Sequence, residues 1–443
     1  MFIFLNGVAV LPPSRSSRPR RLAAVLATVA GLLAASAGAA TAAPASRSCS
    51  FVCVPDTVVL DGVHLAGNKI GLRAGNPTLR TSLSNLVKQA DDALTKGPWT
   101  VMDKVRVPPS GDKHDYLSLA PYYWPSQPKT PENPQGCPYV DRDGEVNPEM
   151  KNVPDKAERL VAFNSIYQLS LAWYYTGKAE YAQRAELDLR TWFLDAATKM
   201  NPNLNFAQGI PCKTDGRGIG IIEFSYTFTQ VLDAARILEA GAPGWTKADG
   251  KAFRGWSSDF LTWLRTSKNG TDEAKATNNH GTFYDLLIAA TASYVGQRDL
   301  ARRIVRDSGK ARIDHQIAAD GSQPEESTRT RTYHYHTFNL VALTRLAQLG
   351  RHLGVDLWSY RNPQGGSIFA AVDHLLPAAT GASPWPLPDI HFTQYAALDS
   401  VHAAADAGDW KARAAIGRIP VPPGGDLFPV RPAAEQLDDV STT

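Results

Sequence analysis

The apolar residues between positions 155 and 200 recur every three or four residues, and this helical periodicity constrains the fold of the 443-residue chain more than any other feature. The pattern is interrupted at Thr176-Gly177, where a glycine suits the left-handed conformation that often ends a helix. Two consecutive helices are therefore expected to pack as an antiparallel hairpin. The residues that carry the pattern are Leu160, Phe163, Tyr167, Leu171, Tyr174, Tyr181, Ala185, Leu187, Trp192 and Phe193.

The same periodicity predicts further helices along most of the chain, over residues 77–95, 221–239, 247–267, 282–295, 299–308 and 337–353. Strand signals are sparse before residue 365, and the segment after it is too rich in proline and alanine to assign. The sequence therefore predicts a mostly all-α fold. Its antiparallel helix hairpins form either a helical solenoid or a closed toroid, with long aromatic-rich loops between them.

The charge balance limits the classes of partner. The chain has 46 Lys and Arg residues against 43 Asp and Glu residues, a net charge of +3. No basic stripe of the kind that binds duplex nucleic acid stands out beyond the N-terminus, so no nucleic-acid partner is expected. An anionic substrate is compatible with this balance if the basic residues converge locally. Composition does not predict the oligomeric state.

The N-terminus has the pattern of a secretory signal peptide over residues 1–42. A basic cluster at residues 15–21 precedes an apolar run at residues 22–35, and Ala40-Thr41-Ala42 suits cleavage before Ala43. The apolar run is shorter than the ~18 residues that span a membrane. We therefore expect a secreted protein with no membrane association after cleavage, and an irregular N-terminal segment over residues 43–75.

Four cysteines remain after such a cleavage, and in an oxidising compartment they would form two disulfides. Of the three possible connectivities, we predict Cys49 with Cys53 and Cys137 with Cys212. A pair of cysteines separated by three residues, without neighbouring histidines, is a poor zinc signal.

Residues 96–155 contain eleven prolines and many aromatic residues, without a sustained period. A loop of this length is functional or disordered, and the aromatic content argues against disorder. Aromatic faces pack against the C–H faces of sugar rings, although such residues also fill cores. We predict that His114, Tyr116, Tyr122 and Trp124 bind a sugar.

A second loop contains Gln208 and Arg217 ahead of a predicted helix. It lacks the glycine spacing of a phosphate-binding loop. We predict that Arg217 faces a substrate carboxylate and that Gln208 contributes to binding, with a structural capping turn as the alternative.

The run Asn278-Asn279-His280 stands where a helix is predicted to begin. Free N–H groups and the helix dipole favour an anion there, and asparagine is poor inside helices. One asparagine suits the N-cap position. We predict that Asn279 and His280 hold and screen a carboxylate, with Asn278 and Tyr284 contributing to substrate binding.

Arginines and tyrosines are concentrated between residues 329 and 336. The ordinary pKa of tyrosine is ~10, and a guanidinium close to the phenol lowers it. We predict Tyr335 as a catalytic base with Arg329 as its helper and Arg331 in substrate binding. Tyr333 is a second candidate base, and an interhelical polar network is the alternative. If this stretch is helical, Arg329 and Tyr335 lie on different faces.

These groups suit β-elimination from a 1,4-linked uronic acid. The C5 proton of such a sugar becomes removable when the charge of the neighbouring carboxylate is neutralised. A base then takes this proton while an acid protonates the O4 leaving group. One tyrosine can do both when the two atoms lie on one face of the ring; otherwise a histidine and a tyrosine divide the roles. The reaction needs no metal or organic cofactor.

The sequence resembles the alginate lyase superfamily of polysaccharide lyases over roughly residues 75–390. The resemblance implies a toroid of antiparallel helix pairs in a catalytic domain at 76–395, with a C-terminal extension at 396–443. It also implies that Asn279 and His280 bind the uronate carboxylate, that Tyr335 is catalytic and that Arg329 assists it. The matching runs are Asp115-Tyr116-Leu117-Ser118-Leu119-Ala120-Pro121-Tyr122, Asp143-Gly144-Glu145-Val146-Asn147-Pro148-Glu149, Arg217-Gly218-Ile219-Gly220, Asn278-Asn279-His280-Gly281-Thr282 and Arg329-Thr330-Arg331.

Two departures from the family pattern leave the identity of the polymer substrate open. Gly281 follows the histidine where a serine is typical, and Tyr335 is followed by His336-Thr337 where a Tyr-His-Asn run is typical. Mannuronate-rich alginate and glucuronan are both candidate substrates. The alternative functions are a glycoside hydrolase on a helical toroid and a non-catalytic glycan-binding protein. A hydrolase would need two carboxylates about 5–10 Å apart, and the candidates are Asp115, Asp285, Glu325 and Glu326.

Overall fold

The computed structural model describes residues 53–432, all of which belong to one compact unit. The predicted signal peptide and Cys49 lie outside this part of the chain. The helices are α1 (Gly62–Arg73), α2 (Pro77–Ala93), α3 (Asp155–Thr176), α4 (Ala179–Phe193), α5 (Ser225–Glu239), α6 (Lys247–Thr266), α7 (Lys268–Glu273), α8 (Asn279–Tyr294), α9 (Arg298–Ser308), α10 (Asp314–Gln316), α11 (Thr332–Leu353), α12 (Ile368–Ala379), α13 (Leu398–Asp406) and α14 (Trp410–Ala415).

The long helices form two layers that differ in burial. In the inner layer, 13 of the 15 residues of α5, 14 of the 16 of α8 and 19 of the 22 of α11 are buried. In the outer layer, only 7 of the 20 residues of α6 and 3 of the 11 of α9 are buried. Helices that are apolar on all sides need neighbours on all sides, whereas amphipathic helices can cover them.

Successive inner helices pack side by side, and each outer helix covers them from outside. Helix α3 packs against α4 and α5, α5 against α8, α8 against α9 and α11, and α11 against α13. This arrangement is the α/α toroid, and the prediction of a mostly all-α fold is confirmed. Helix α3 ends at Gly177, whose φ of 75° is left-handed as expected. Among residues 53–432, none of the helices combines the length and the apolar character needed to cross a membrane.

Four short strands lie in the long loops between the helices. Strand β1 (Leu117–Leu119) pairs in parallel with β4 (Phe206–Gly209), and β2 (Tyr123–Pro125) pairs antiparallel with β3 (Tyr139–Asp141). The predicted disulfide between Cys137 and Cys212 is present. Because Cys137 precedes β3 and Cys212 follows β4, the disulfide ties the two small sheets together.

Two of the predicted segment boundaries are wrong. Residues 43–75 were expected to be irregular, but α1 occupies 62–73, and Asp61 caps it by accepting hydrogen bonds from the Val63 and His64 amides. The expected C-terminal extension contains α13 and α14, which pack against α11 and α12. The toroid therefore extends beyond residues 76–395 at both ends, because these helices bury their apolar faces against its core.

Candidate active site

The N-terminus of α8 holds Asn279 and His280 in front of two buried acids. The Asn279 backbone N and side-chain Nδ2 each donate to a different oxygen of Glu326, both at 2.7 Å. The His280 Nδ1 lies 2.7 Å from Glu273 Oε1. Within residues 53–432 the His280 Nε2 makes no hydrogen bond, and 17% of the side chain is exposed. Glu326 and Glu273 thus fix the orientation of Asn279 and His280, and the His280 Nε2 remains available to bind a ligand.

The acids behind this pair are almost fully buried, Glu273 at 2% and Glu326 at 1% exposure. Burial raises the pKa of Glu326, although both hydrogen bonds from Asn279 oppose this shift. Buried carboxylates require partners, and here the partners are the two side chains predicted to bind a substrate carboxylate. Asn278 caps the helix, its Oδ1 accepting from the His280 amide at 3.2 Å. The helix consequently begins three residues earlier than the predicted position 282.

Arg329 and Tyr335 meet in front of α11, together with Tyr122. The Arg329 Nη2 donates to the Tyr335 Oη at 2.7 Å, and the Tyr122 Oη lies 3.1 Å from the same oxygen. A helix running through residues 329–336 would place Arg329 and Tyr335 on different faces, but the stretch is not helical throughout. The helix begins only at Thr332, and Arg329 has an extended conformation (φ −86°, ψ 163°) that folds its side chain over the tyrosine ring.

Asp143 anchors this arginine from a distant loop. Its Oδ1 lies 2.6 Å from Arg329 Nη2, and its Oδ2 accepts from the Thr330 amide at 3.0 Å. Burial lowers the pKa of Arg329, but the Asp143 hydrogen bond and charge outweigh burial and hold the pKa above its ordinary value. The loop can approach because residue 144 is glycine, where a Cβ would come within 2.5 Å of the Thr330 hydroxyl. Arg329 therefore carries a permanent positive charge beside the Tyr335 oxygen.

Tyr333 occupies a different environment from Tyr335. It is fully buried, donates to the Gln394 carbonyl at 3.0 Å and packs edge-on against Trp385. Burial raises its pKa well above the ordinary value. His336 is also buried, and desolvation lowers its pKa to about 4. The structure thus brings Tyr335, and not Tyr333, to the arginine.

Basic side chains gather around the β2–β3 hairpin. The guanidinium of Arg217 lies 5.0 Å from the centre of the Tyr123 ring, and the Lys213 amine lies 5.5 Å from it. Arg142 lies 5.1 Å from the Trp124 ring, whose Nε1 donates to a backbone carbonyl. Arg217, Lys213 and Arg142 therefore lie close together beside these aromatic rings, so basic residues converge locally in a chain of modest net charge.

Gln208 supports Arg217 from a left-handed backbone conformation, with a φ of 50°. Its backbone and side-chain oxygens accept from Arg217 at 3.1 and 2.9 Å. Its amide donates to Ser118, which in turn donates to the buried Glu223. A non-glycine residue with positive φ requires such support, and strained residues of this kind cluster at functional sites.

Four predicted binding residues have structural partners that sequence patterns did not indicate. Tyr116 is fully buried and donates to Glu223 at 2.8 Å, and Tyr284 is buried and donates to the Leu264 carbonyl at 2.9 Å. Both predictions are corrected, because these tyrosines fill the core. The His114 Nδ1 lies 2.6 Å from the Lys199 carbonyl oxygen. The backbone of Arg331 forms an isolated antiparallel β-bridge with that of Asp389.

The acids Glu273, Glu326 and Asp143 are site residues that the sequence did not single out for these roles. Asp143 opens one of the runs that carry the family resemblance, and Glu326 lies three residues before Arg329, so these two positions were marked by neighbouring motifs but not by a role. The carboxylates considered for a hydrolase are largely occupied: Asp115 accepts from Asn201 and Asn203, and Asp285 pairs with Arg312. Among the described residues, no group of three or more His, Cys, Asp and Glu could hold a metal ion.

Comparisons with known proteins identify the family of this chain. The alginate lyase family model matches residues 100–385. An alginate lyase from Bacteroides ovatus is 33% identical with a TM-score of 0.79, covering 86% of this chain and 100% of its own. Alginate lyase A1-III from Sphingomonas species A1 is 17% identical with a TM-score of 0.53, covering 83% and 94%, and shares the fold. No curated protein sequence matches the chain. The chain belongs to the alginate lyase family and is a polysaccharide lyase, which acts by breaking carbon–oxygen bonds.

Proposed function

We propose that this protein cleaves a 1,4-linked uronate polymer by β-elimination, with Tyr335 as base and acid. The observation that carries this proposal is the 2.7 Å hydrogen bond from Arg329 to the Tyr335 oxygen, with the Tyr122 hydroxyl 3.1 Å away. A guanidinium and a second hydroxyl at the phenol oxygen favour its deprotonated form. Because Asp143 holds the arginine in place, this stabilisation is present before substrate arrives.

Asn279 and His280 would bind the carboxylate of the sugar that loses its proton. They stand at the N-terminus of α8, where the helix dipole and free N–H groups favour negative charge. Glu273 fixes the imidazole through Nδ1 and leaves Nε2 for the substrate. Withdrawing charge from the carboxylate stabilises the dianion that forms when the C5 proton is removed.

The proposed step balances with these residues alone. The Tyr335 phenolate takes the C5 proton, and the C5–H electron pair forms the C4–C5 double bond. The C4–O4 bond breaks, its electrons remain on O4, and the phenol proton is transferred to that oxygen. The products are one chain that ends in an unsaturated uronate and one that carries a new hydroxyl. No cofactor takes part in this scheme.

A tyrosine that acts twice favours particular sugars. The C5 hydrogen and O4 must lie on one face of the ring, a relation that mannuronate and glucuronate share and that guluronate, the C5 epimer of mannuronate, lacks. The relatives named above are alginate lyases, and variants of the Sphingomonas enzyme have been crystallised with a tetrasaccharide. We therefore propose mannuronate-rich alginate or glucuronan as the polymer.

Ultraviolet absorbance tests both the reaction and the polymer, because the C4–C5 double bond absorbs and a hydrolysed end does not. Purified protein is incubated with poly-mannuronate, poly-guluronate, glucuronan and hyaluronan. Absorbance should rise with poly-mannuronate, glucuronan or both, and should rise least with poly-guluronate. New reducing ends without absorbance would contradict elimination, and poly-guluronate as the best substrate would contradict the single-tyrosine scheme.

Secretion is part of the same proposal. The disulfide between Cys137 and Cys212 supports it, because such bonds persist in oxidising compartments. Expression of the full chain in a secreting host tests it: intact mass of the protein in the medium should correspond to a mature N-terminus at Ala43. Retention of the uncleaved chain in the cells would contradict this.

A further inference from the structure

A cavity of about 160 Å³ lies at the end of the toroid opposite Tyr335. It is bounded by the C-terminal half of α11, by α13, and by the chain segments at residues 59–64 and 428–432. Its α11 residues, from Thr344 to Arg351, follow Tyr335 by 9 to 16 positions. At 1.5 Å per residue the cavity is roughly 14–24 Å from the catalytic tyrosine along the helix. It is therefore separate from the proposed active site.

The cavity contains one nearly buried carboxylate without a hydrogen-bond partner. Asp399 lines it from the first turn of α13 and is only 8% exposed. Among residues 53–432, no side chain or amide donates to its oxygens. Burial raises the pKa of Asp399 to about 6, while Arg345 and His402 oppose the shift. A nearly buried carboxylate needs a donor, and the space from which a donor can reach Asp399 is this cavity.

The size of the cavity exceeds what a single water molecule explains. A water needs on the order of 10–15 Å³ measured in this way, so the space would hold on the order of ten. The walls are partly apolar: Leu60, Trp358 and Phe428 contribute to them. A space with partly apolar walls and several polar side chains, among them Thr344, Gln348 and Asp399, has the general form of a small-molecule site.

The surrounding charges decide which donor suits Asp399. An ammonium ion would meet the guanidinium of Arg345, which is 6% exposed and donates to the Thr229 hydroxyl at 3.0 Å. Arg351 and His64 also line the cavity, but so do Asp61 and Asp406, and the His64 ring lies 3.8 Å from the Asp406 carboxylate. The lining therefore carries charges of both signs, and no net charge of a ligand is favoured. An anion would be repelled by the carboxylate. Hydroxyl groups carry no charge and donate well to a carboxylate, and a vicinal pair can occupy both of its oxygens.

We propose that this cavity binds a small neutral polyol, whose adjacent hydroxyls donate to the Asp399 carboxylate while its carbon skeleton contacts the apolar walls. A sugar ring and a linear polyol share this chemistry. D-Mannose and D-mannitol therefore serve as the two probes, and saturation-transfer-difference NMR on the purified mature protein detects binding without reference to lyase activity.

Ala403 offers a way to close the cavity without removing a charge. It lines the cavity and is partly exposed, so Ala403→Leu should fill the space with little effect on the fold. Ala414→Leu, at an exposed position of α14, is the matched control. Asp399→Asn removes one acceptor oxygen and should weaken binding at least tenfold. Circular dichroism and lyase activity report whether each variant is folded.

The expected result is a transfer signal from at least one probe that is retained in Ala414→Leu and lost in Ala403→Leu. Signal from mannose alone identifies a ring-selective site, and signal from both identifies a general polyol site; either outcome supports the proposal. Absence of signal from both probes with the wild-type protein, or a signal that persists in Ala403→Leu, overturns it. Because binding is measured directly, its failure would leave the proposed lyase function untouched.

Discussion

The two ends of the inner helical layer use buried acids in opposite ways. At the active-site end, Glu326 and Glu273 accept hydrogen bonds from Asn279 and His280, side chains that stand next to Tyr335 in the proposed mechanism. At the other end, Asp233 on α5 accepts hydrogen bonds from the backbone amides of residues 58–60, at 2.7 to 3.2 Å. Asp233 is fully buried, as the two glutamates nearly are.

The difference follows from the partner and not from the acid. A buried carboxylate must be paired, and whatever pairs with it is held rigidly. When the partner is a side chain with further polar atoms, the acid positions a chemical group. When the partner is the backbone, the acid holds a chain segment against the core. We therefore expect substitutions at the first end to affect turnover and substitutions at the second to affect stability.

The largest effect is expected for Tyr335→Phe, which removes the proposed base and acid while keeping the ring. The kcat should fall by about 10³-fold, within the range of general acid–base catalysis. Tyr333→Phe is the matched control two residues away; it loses one buried hydrogen bond to Gln394 and should cost about 1 kcal/mol of unfolding free energy with little change in kcat. The reverse result would transfer the role to Tyr333.

His280→Ala should lower kcat by about 10²-fold, because a donor to the substrate carboxylate is lost. The circular dichroism spectrum should be unchanged, since the side chain is partly exposed at the cleft. Initial rates of absorbance increase on the best polymer measure the effect. Wild-type turnover by this variant would remove His280 from the mechanism.

At the opposite end, Asp233→Asn should destabilise the protein by about 1–3 kcal/mol, because one acceptor for the amides of residues 58–60 becomes a donor. Urea denaturation measures the loss, and kcat should stay at the wild-type value. The exposed Asp307→Asn is the control. A large loss of kcat in a folded Asp233→Asn protein would break the contrast between the two ends.

Glu273→Gln sharpens the contrast at the active-site end. The amide oxygen can still accept from His280, but the charged hydrogen bond is replaced by a neutral one, a difference of about 1 kcal/mol or nearly tenfold in kcat. The exposed Glu325→Gln should have no effect. If Glu273 only stabilised the fold, the midpoint of urea denaturation would fall while kcat and its pH profile stayed constant.

The smallest effect is expected for Asp399→Asn, measured as stability against pH. The pKa of Asp399 is raised to about 6, so its protonated form is favoured in the folded state, and the associated stability is present at low pH and lost as pH rises through about 6. Between pH 5 and 7.5 the wild type should lose about 1 kcal/mol that the variant keeps. If the difference in unfolding free energy between the two proteins were constant across this pH range, the raised pKa of Asp399 would be contradicted. The charged groups that act on Asp399 are Arg345, His402, Asp426 and Arg431.

Much of the toroid was predictable because its signals are local. The three- to four-residue period located the long helices, and Gly177 marked a helix end through its own backbone conformation. The clustering of Asn278, Asn279 and His280 at a helix start was likewise visible, because capping depends on neighbouring residues. The short helices after residue 365 were missed, since proline and alanine blur a periodic pattern.

The sequence by itself determined the helical architecture and the residue types at the site, because these follow from periodicity, capping and composition. It allowed three disulfide connectivities, and the structure shows the Cys137–Cys212 bond. Only the tertiary structure decided which residues meet. Tyr116 and Tyr284 are aromatic residues in suggestive motifs, yet they are buried in the core. Asp143 reaches Arg329 across 186 positions. Burial and long-range pairing depend on how the helices and loops pack together, and no local pattern encodes that packing.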